Sequence, residues 1–206
     1  MKKIIGIIPS TLGFNTNNPF DDKYYVQNTY INKINKYAKP IILAPNNLEL
    51  NNEILDLCDS FLIIGGNKVH KYHFDVIEYA IKTNKKLLGI CLGLQAIGMY
   101  SNNDLNEKTL YKIDNHYHDN ITNKNKELLV HEVEIDKESS LSKLIGTKLK
   151  VNSIHNYALK YISPPFKVVG KYNNVIEAIE YKNIIGIQFH PELMNNTDNL
   201  FKWLTC

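Results

Sequence analysis

The chain has 206 residues, 44% of them hydrophobic, and a formal net charge of only +3. That is apolar material enough for one globular domain over 1–206, and the scattered basic residues carry no nucleic-acid footprint. All 24 basic side chains are lysine, so any bound anion is met by point charges, hydroxyls or backbone N–H groups rather than by a guanidinium fork.

Cys58, Cys91 and Cys206 lack the paired spacing of zinc ligands or of a disulfide framework, which points to a reducing cytoplasm. The opening Met1-Lys2-Lys3 leads into an apolar run that Pro9, Ser10 and an Asn-rich stretch cut short. We therefore read a first buried strand there rather than a signal peptide. No other run approaches the length needed to span a membrane.

In chain order, short apolar runs predict strands over 3–8, 40–43, 60–64 and 87–90. Helical spacing covers 22–37, with Tyr25, Tyr30 and Ile34 on one face, and 72–83, with Val76, Ile77 and Ala80. A third helix is expected over 91–100. The second half reads as more antiparallel, with strands over 128–135, 148–153, 166–172, 175–181 and 184–189 and a last helix over 196–204. Segments 15–22 and 101–126 are polar and irregular, of the size that often forms lids or binding segments. The expected architecture is α/β, a central mostly parallel sheet flanked by helices with an antiparallel extension.

The densest chemical signal is Gly89-Ile90-Cys91-Leu92-Gly93-Leu94-Gln95, directly after the apolar Leu87-Leu88. A nucleophile between spaced glycines at a strand-to-helix junction is an elbow, here with sulfur as the attacking atom. The exposed N–H groups of the following helix favour negative charge on that sulfur. A lone cysteine is ordinarily structural, and Cys58 and Cys206 keep that reading. Downstream, Gln188-Phe189-His190-Pro191-Glu192 supplies a base in His190 and a carboxylate, Glu192, to orient it. Gly65-Gly66-Asn67 follows the apolar 61–64 run, where backbone N–H groups can face a ligand. With the N–H of Leu92, that of Gly66 would form an oxyanion hole.

His70 with His73, and His116-Tyr117-His118, have no completing ligand at a recognised spacing, so no metal is assigned. Lys112, Lys124 and Lys126 read as a solvated face. Tyr24, Tyr25 and Tyr117 are placed near the pocket mouth only as possible stacking rings.

Together these residues resemble class I glutamine amidotransferase domains, in particular the stand-alone peptidase C26 branch that includes γ-glutamyl-γ-aminobutyrate hydrolases. The likeness runs through Ile4-Gly6-Ile7, Ile63-Ile64-Gly65-Gly66, the elbow, Val151-Asn152-Ser153-Ile154-His155, Val175-Ile176-Glu177-Ala178 and the segment 186–192. It implies a three-layer, flavodoxin-like fold, a Cys91-His190-Glu192 triad, oxyanion donors at Gly66 and Leu92, and no cofactor. It also implies a glutamyl pocket formed by Gly65, Asn67, Gln95, Ser153, Ile154, His155, Asn156 and Tyr157. Two departures stand out: Leu92 replaces the arginine of many polyamine-branch hydrolases, and His155-Asn156-Tyr157 replaces their histidine-rich continuation.

The implied reaction is hydrolysis of a γ-glutamyl amide through a glutamyl thioester, releasing L-glutamate. With no synthetase domain attached, hydrolysis of a γ-glutamyl conjugate is expected. In its AT-rich type of composition, its short length and Leu92 the chain resembles hydrolases of γ-glutamyl-CDP-amidate, and that resemblance implies a nucleotide-linked leaving group. The alternatives are a glutaminase subunit serving a separate synthetase, a γ-glutamyl-polyamine or γ-aminobutyrate hydrolase, and a non-catalytic binding protein on a related fold.

Overall fold

The computed structural model describes residues 2–13, 22–113 and 129–206. The chain enters through β1 (Ile4–Ile8), β2 (Ser10–Leu12), β3 (Lys23–Tyr25), α1 (Asn28–Asn35), β4 (Lys39–Ile42), α2 (Asn52–Asp56) and β5 (Ser60–Ile63). It continues through α3 (Lys71–Thr83), β6 (Lys86–Ile90), α4 (Leu92–Ser101), β7 (Leu110–Lys112), β8 (His131–Ile135), α5 (Ser140–Ile145) and β9 (Lys148–Val151). It closes with β10 (Tyr157–Leu159), β11 (Lys167–Tyr172), β12 (Val175–Tyr181), β13 (Ile184–Ile187), a 3₁₀ turn (Pro191–Leu193) and α6 (Asp198–Trp203).

Nine strands form one sheet in the order β4-β1-β5-β6-β13-β12-β11-β8-β9. Neighbours from β4 to β13 run parallel, and those from β13 to β9 antiparallel. The parallel strands are near-continuous apolar runs because both of their faces are covered. In β5 the pleat sends Phe61 and Ile63 to one core with Val76, Ile77, Leu94 and Ile97, the side of α2, α3 and α4. Leu62 and Ile64 go to the opposite core with Tyr30, Ile34, Leu141 and Phe201, the side of α1, α5 and α6. The result is the expected three layers.

The first predicted helix is corrected at its start. Its opening residues form β3, paired antiparallel with β2 (Ser10 opposite Tyr25, Leu12 opposite Lys23), and the helix begins at Asn28. Adjacent aromatic residues suit a pleated strand as well as a helical stripe, and the pairing partner decided between them. Two short helices were missed, although each has a readable cap: Asn51 accepts from the N–H of Ile54 and Ser139 from that of Ser142. Within 101–126, read as irregular, β7 pairs with β10 in a separate two-stranded ribbon. His116, Tyr117, His118, Lys124, Lys126 and most of the 15–22 segment lie outside the described residues.

Helix α1 is fastened to the C-terminal segment by a buried lysine. Lys33 Nζ donates to the Met194 carbonyl at 2.8 Å and to Asp198 Oδ1 at 2.6 Å, and the Tyr37 hydroxyl donates to Asp198 Oδ2 at 2.7 Å. Burial pushes the Asp198 carboxyl up, but these donors win and hold it at about 2. A lowered carboxyl pKa stabilises the fold above the ordinary value of 3.8, and that contribution fades as pH falls toward 2. Asp198→Asn is expected to lose roughly 1 kcal/mol near neutral pH in urea titrations. Its gap from the parent narrows as pH drops below about 4; a gap independent of pH would contradict this account.

Candidate active site

At the end of β6 the backbone turns sharply, and Cys91 takes φ 53° and ψ −100° before α4 begins at Leu92. Such a conformation is costly for a residue with a side chain and persists only where the surroundings enforce it. The glycines provide that enforcement. A Cβ on Gly89 would lie 2.6 Å from the Gly93 carbonyl carbon, and one on Gly93 would lie 2.5 Å from the Ile63 carbonyl oxygen. Strand, turn and helix therefore close against one another backbone to backbone, with the thiol held above.

His190 follows β13 on the neighbouring strand. Its backbone is gripped by the fully buried Asn152: the His190 N–H donates to Oδ1 at 2.8 Å, and Nδ2 donates to the His190 carbonyl at 2.9 Å. Its ring nitrogen Nδ1 lies 2.6 Å from Glu192 Oε1, on the 3₁₀ turn. The Glu192 side chain is 3% exposed, whereas His190 keeps 12%, so only the imidazole of the pair opens outward. Burial alone would push the imidazole pKa down. The charges of Glu192 and Cys91, and hydrogen bonds to both, lift it well above 6.5. With Nδ1 committed to Glu192, Nε2 is the nitrogen left for Cys91.

Gly65 is the third wall of this meeting point. A Cβ there would stand 2.8 Å from His190 Cε1, 3.1 Å from the Tyr30 hydroxyl and 3.5 Å from Cys91 Cβ. Only a bare α-carbon lets imidazole, phenol and thiol converge. Cys91 and His190 thus share a cavity of about 330 Å³. Gly65, Gly66 and Asn67 line one side, Ile154, His155, Asn156 and Tyr157 another, and Tyr25 and Gln27 stand before α1.

The remaining residues singled out in the sequence fall as follows. Leu92 is buried with its side chain directed at Gly66, its Cδ2 lying 3.1 Å from where a Cβ on that residue would be. It does not line the cavity. Gln95 does, but its Nε2 donates to the Tyr157 carbonyl at 2.9 Å, tying α4 to the opposite wall. The same carbonyl lies 3.1 Å from His155 Nδ1. Ser153 is buried behind that wall rather than lining it. Tyr24 packs edge-on against Tyr72, away from the cavity rim that Tyr25 forms. His70 and His73 belong to a helix start, the His70 N–H donating to His73 Nδ1 at 3.0 Å. Cys58 is buried, which pushes its thiol up to about 11, and Cys206 is exposed.

Two residues at the site escaped sequence reading. Tyr30 sat on an apolar helical stripe and was read as core, and Asn152 was noted only as part of a resembling segment. The usable signal for the second was a polar amide directly following the half-buried β9, next to its inward-facing Val151.

The fold is that of the class I glutamine amidotransferases. The CTPS glutaminase domain of Trypanosoma brucei superposes with a TM-score of 0.69 at 15% identity, covering 98% of this chain and 92% of that one. Residues 70–192 match the Peptidase C26 family, and the chain belongs to it. Among curated relatives, the glutamine amidotransferase-like protein YvdE of Lactococcus lactis is 24% identical over 97% of this chain and 94% of its own length. The imidazole glycerol phosphate synthase subunit HisH of Pelagibacter ubique is 31% identical over 56% of this chain and 58% of that subunit. Among the described residues, no helix is long and apolar enough to cross a membrane.

Gly93→Ala is expected to destabilise the chain by about 1–3 kcal/mol, because the new Cβ must displace backbone rather than a side-chain tip. An unchanged urea midpoint would show that the elbow is looser than these contacts require. The upward shift at His190, driven by the Glu192 and Cys91 charges, predicts that its ring keeps its proton to higher pH than an ordinary imidazole. Nitrogen-15 spectra of labelled histidine check this, and a ring titrating at the ordinary 6.5 would contradict it.

Proposed function

We propose that this chain hydrolyses the amide bond of a γ-glutamyl group by acyl transfer through Cys91 to water. One observation carries the reading: an imidazole tied to a buried carboxylate opens into the same cavity as a thiol held on a strained turn. Cys91 Sγ attacks the γ-carbonyl carbon while its proton resides on His190 Nε2. The carbonyl oxygen becomes an oxyanion facing the N–H groups of Gly66 and Leu92. Its collapse breaks the C–N bond as His190 protonates the departing nitrogen. Water, deprotonated by the same ring, then cleaves the thioester and releases L-glutamate.

Apart from Cys91, His190 and His155, the described lining residues include no carboxylate, lysine or other base; amides, backbone and two tyrosines make up the rest of their polar surface. The glutamyl α-centre is a zwitterion with no net charge, and such a lining suits it. In the finer reading the leaving group is a nucleoside diphosphate amidate. The substrate is then γ-glutamyl-CDP-amidate (CDP-glutamine), yielding cytidine diphosphoramidate for capsular polysaccharide modification. A phosphoramidate nitrogen is a weak base and departs readily. Of the lining residues Tyr157 is half exposed, and Lys112, outside the lining, stands directly opposite it across the β7–β10 ribbon. Opposed residues share a face, so a ring and an ammonium are offered together at the rim.

A second reading, a glutaminase subunit delivering ammonia to a separate synthetase, is favoured by the likeness to the HisH subunit and to a glutaminase domain. Glutamate release from γ-glutamyl-CDP-amidate, glutamine and γ-glutamyl-γ-aminobutyrate separates these readings. The nucleotide amide is expected to turn over fastest; rapid turnover of glutamine alone overturns the nucleotide reading. Weak glutaminase activity that rises on adding a synthetase supports the second. Cys91→Ala is expected to remove at least about 10³-fold of the activity with the fold intact, since alanine fits the turn. Substantial residual turnover in that variant would overturn the thioester route.

A further inference from the structure

Tyr30 is 1% exposed and projects from α1 into the space between the Gly65 loop and the His190 ring. Its hydroxyl oxygen accepts the Gly65 N–H at 3.1 Å and lies 3.3 Å from His190 Nδ1. That nitrogen already donates to Glu192 at 2.6 Å, so the tyrosine proton is not needed there. Glu192 is the charge that bears on the phenol, and its Oε2 has no hydrogen-bond partner among the described residues. The Gly65 N–H donates to the phenol oxygen, which leaves the phenol O–H to turn toward the unpartnered carboxylate oxygen.

We propose that Tyr30 is a positioning residue that couples the oxyanion loop to the base, ordering Gly65 and sharing the Glu192 charge with His190. This rests on the γ-glutamyl hydrolase reading for its kinetic consequences, though not for its structural ones. With the Gly65 N–H consumed by the phenol, the next amide, that of Gly66, is the one left to meet developing charge in the cavity. Helix α1 also holds the far end of the same segment. Lys33, three residues on, donates to the Met194 carbonyl and to Asp198. One helix thus grips the segment bearing His190 and Glu192 at both ends.

The phenol is a constant donor across the working range. Burial first, then the charge of Glu192, raises its pKa well above 10. The charged or titratable groups that face it are Glu192, His190 and, through the ring, Cys91; Lys33 and Asp198 are paired with each other. A hydroxyl that donates to the carboxylate draws off part of its charge. Removing it leaves the full charge to the imidazolium and orphans a buried N–H group on the oxyanion loop.

Tyr30→Phe keeps the ring and tests this. On whichever γ-glutamyl amide the parent cleaves, kcat is expected to fall about tenfold with KM within about twofold, because a displaced oxyanion donor weakens the transition state alone. In the resting variant, nitrogen-15 titration is expected to place the His190 transition at higher pH than in the parent. An unmoved titration, unchanged kcat, or a loss seen wholly in KM overturns the proposal. Should Tyr30→Phe fail to fold, 3,5-difluorotyrosine at position 30 keeps the hydroxyl and makes it a stronger donor. His190 must then titrate lower, and no movement is again fatal. If the parent cleaves no γ-glutamyl amide, the functional reading fails by itself, while the titration still decides the coupling.

Discussion

The molecule is organised around one costly interaction, an imidazole–carboxylate pair withdrawn from water. Removing each charge from solvent carries a penalty of several kcal/mol, offset only when geometry is close and the remaining polar atoms find partners. Here Nδ1 meets Glu192 Oε1 at 2.6 Å, with the buried Tyr30 hydroxyl 3.3 Å from the same nitrogen, while Glu192 Oε2 is left without a hydrogen-bond partner among the described residues. None of this holds if the backbone of His190 drifts. The Asn152 side chain supplies both a donor and an acceptor to that one peptide, linking the strand end after β9 to the one after β13.

The sheet explains why these groups arrive together. Gly65, Cys91 and His190 each lie just beyond the carboxyl ends of three adjacent parallel strands, β5, β6 and β13. That edge of a parallel sheet is where loops can turn polar groups into a shared crevice while apolar strand residues remain buried below. Neighbouring strands stand roughly 4.8 Å apart, close enough for a side chain on one strand end to touch the loop of the next. What the spacing leaves too tight, glycine relieves. Gly93 admits the backbone of β5, and Gly65 admits the ring of His190.

How much of this was legible depended on whether the determining contact was local. The elbow could be read because Gly89, Cys91 and Gly93 act on one another within a few residues, and the buried parallel strands because their apolar runs are contiguous. The β7–β10 ribbon, by contrast, exists through pairing between residues about forty-five apart, Lys112 with Tyr157, and neither stretch carries a strong signal by itself. The start of α1 failed for a related reason. Tyr25, Tyr30 and Ile34 do fall on a helical stripe, yet Lys23–Tyr25 finds a strand partner in Ser10–Leu12. Tyr30 illustrates the deepest limit. A helix periodicity identifies an inward-facing tyrosine, but the hydroxyl's role depends on Gly65 and Glu192, which only the folded chain brings to it.

The same logic bears on Leu92, which stands where many relatives of the resembling branch carry arginine. Its side chain turns toward Gly66 and is buried, so it packs behind the Gly65–Gly66 loop rather than facing the cavity. An arginine following this backbone direction would have to bring its charge into an apolar space or bend back toward the cavity. Leucine makes neither demand. On the proposed hydrolase reading, discrimination among γ-glutamyl amides falls to the wall formed by Ile154 to Tyr157 rather than to the residue after Cys91. That wall is registered to the elbow helix through the single carbonyl of Tyr157, which receives Gln95 Nε2 and lies beside His155 Nδ1. A wall hung on the helix that follows Cys91 moves with it, so the cavity rim keeps its distance from the Cys91 sulfur.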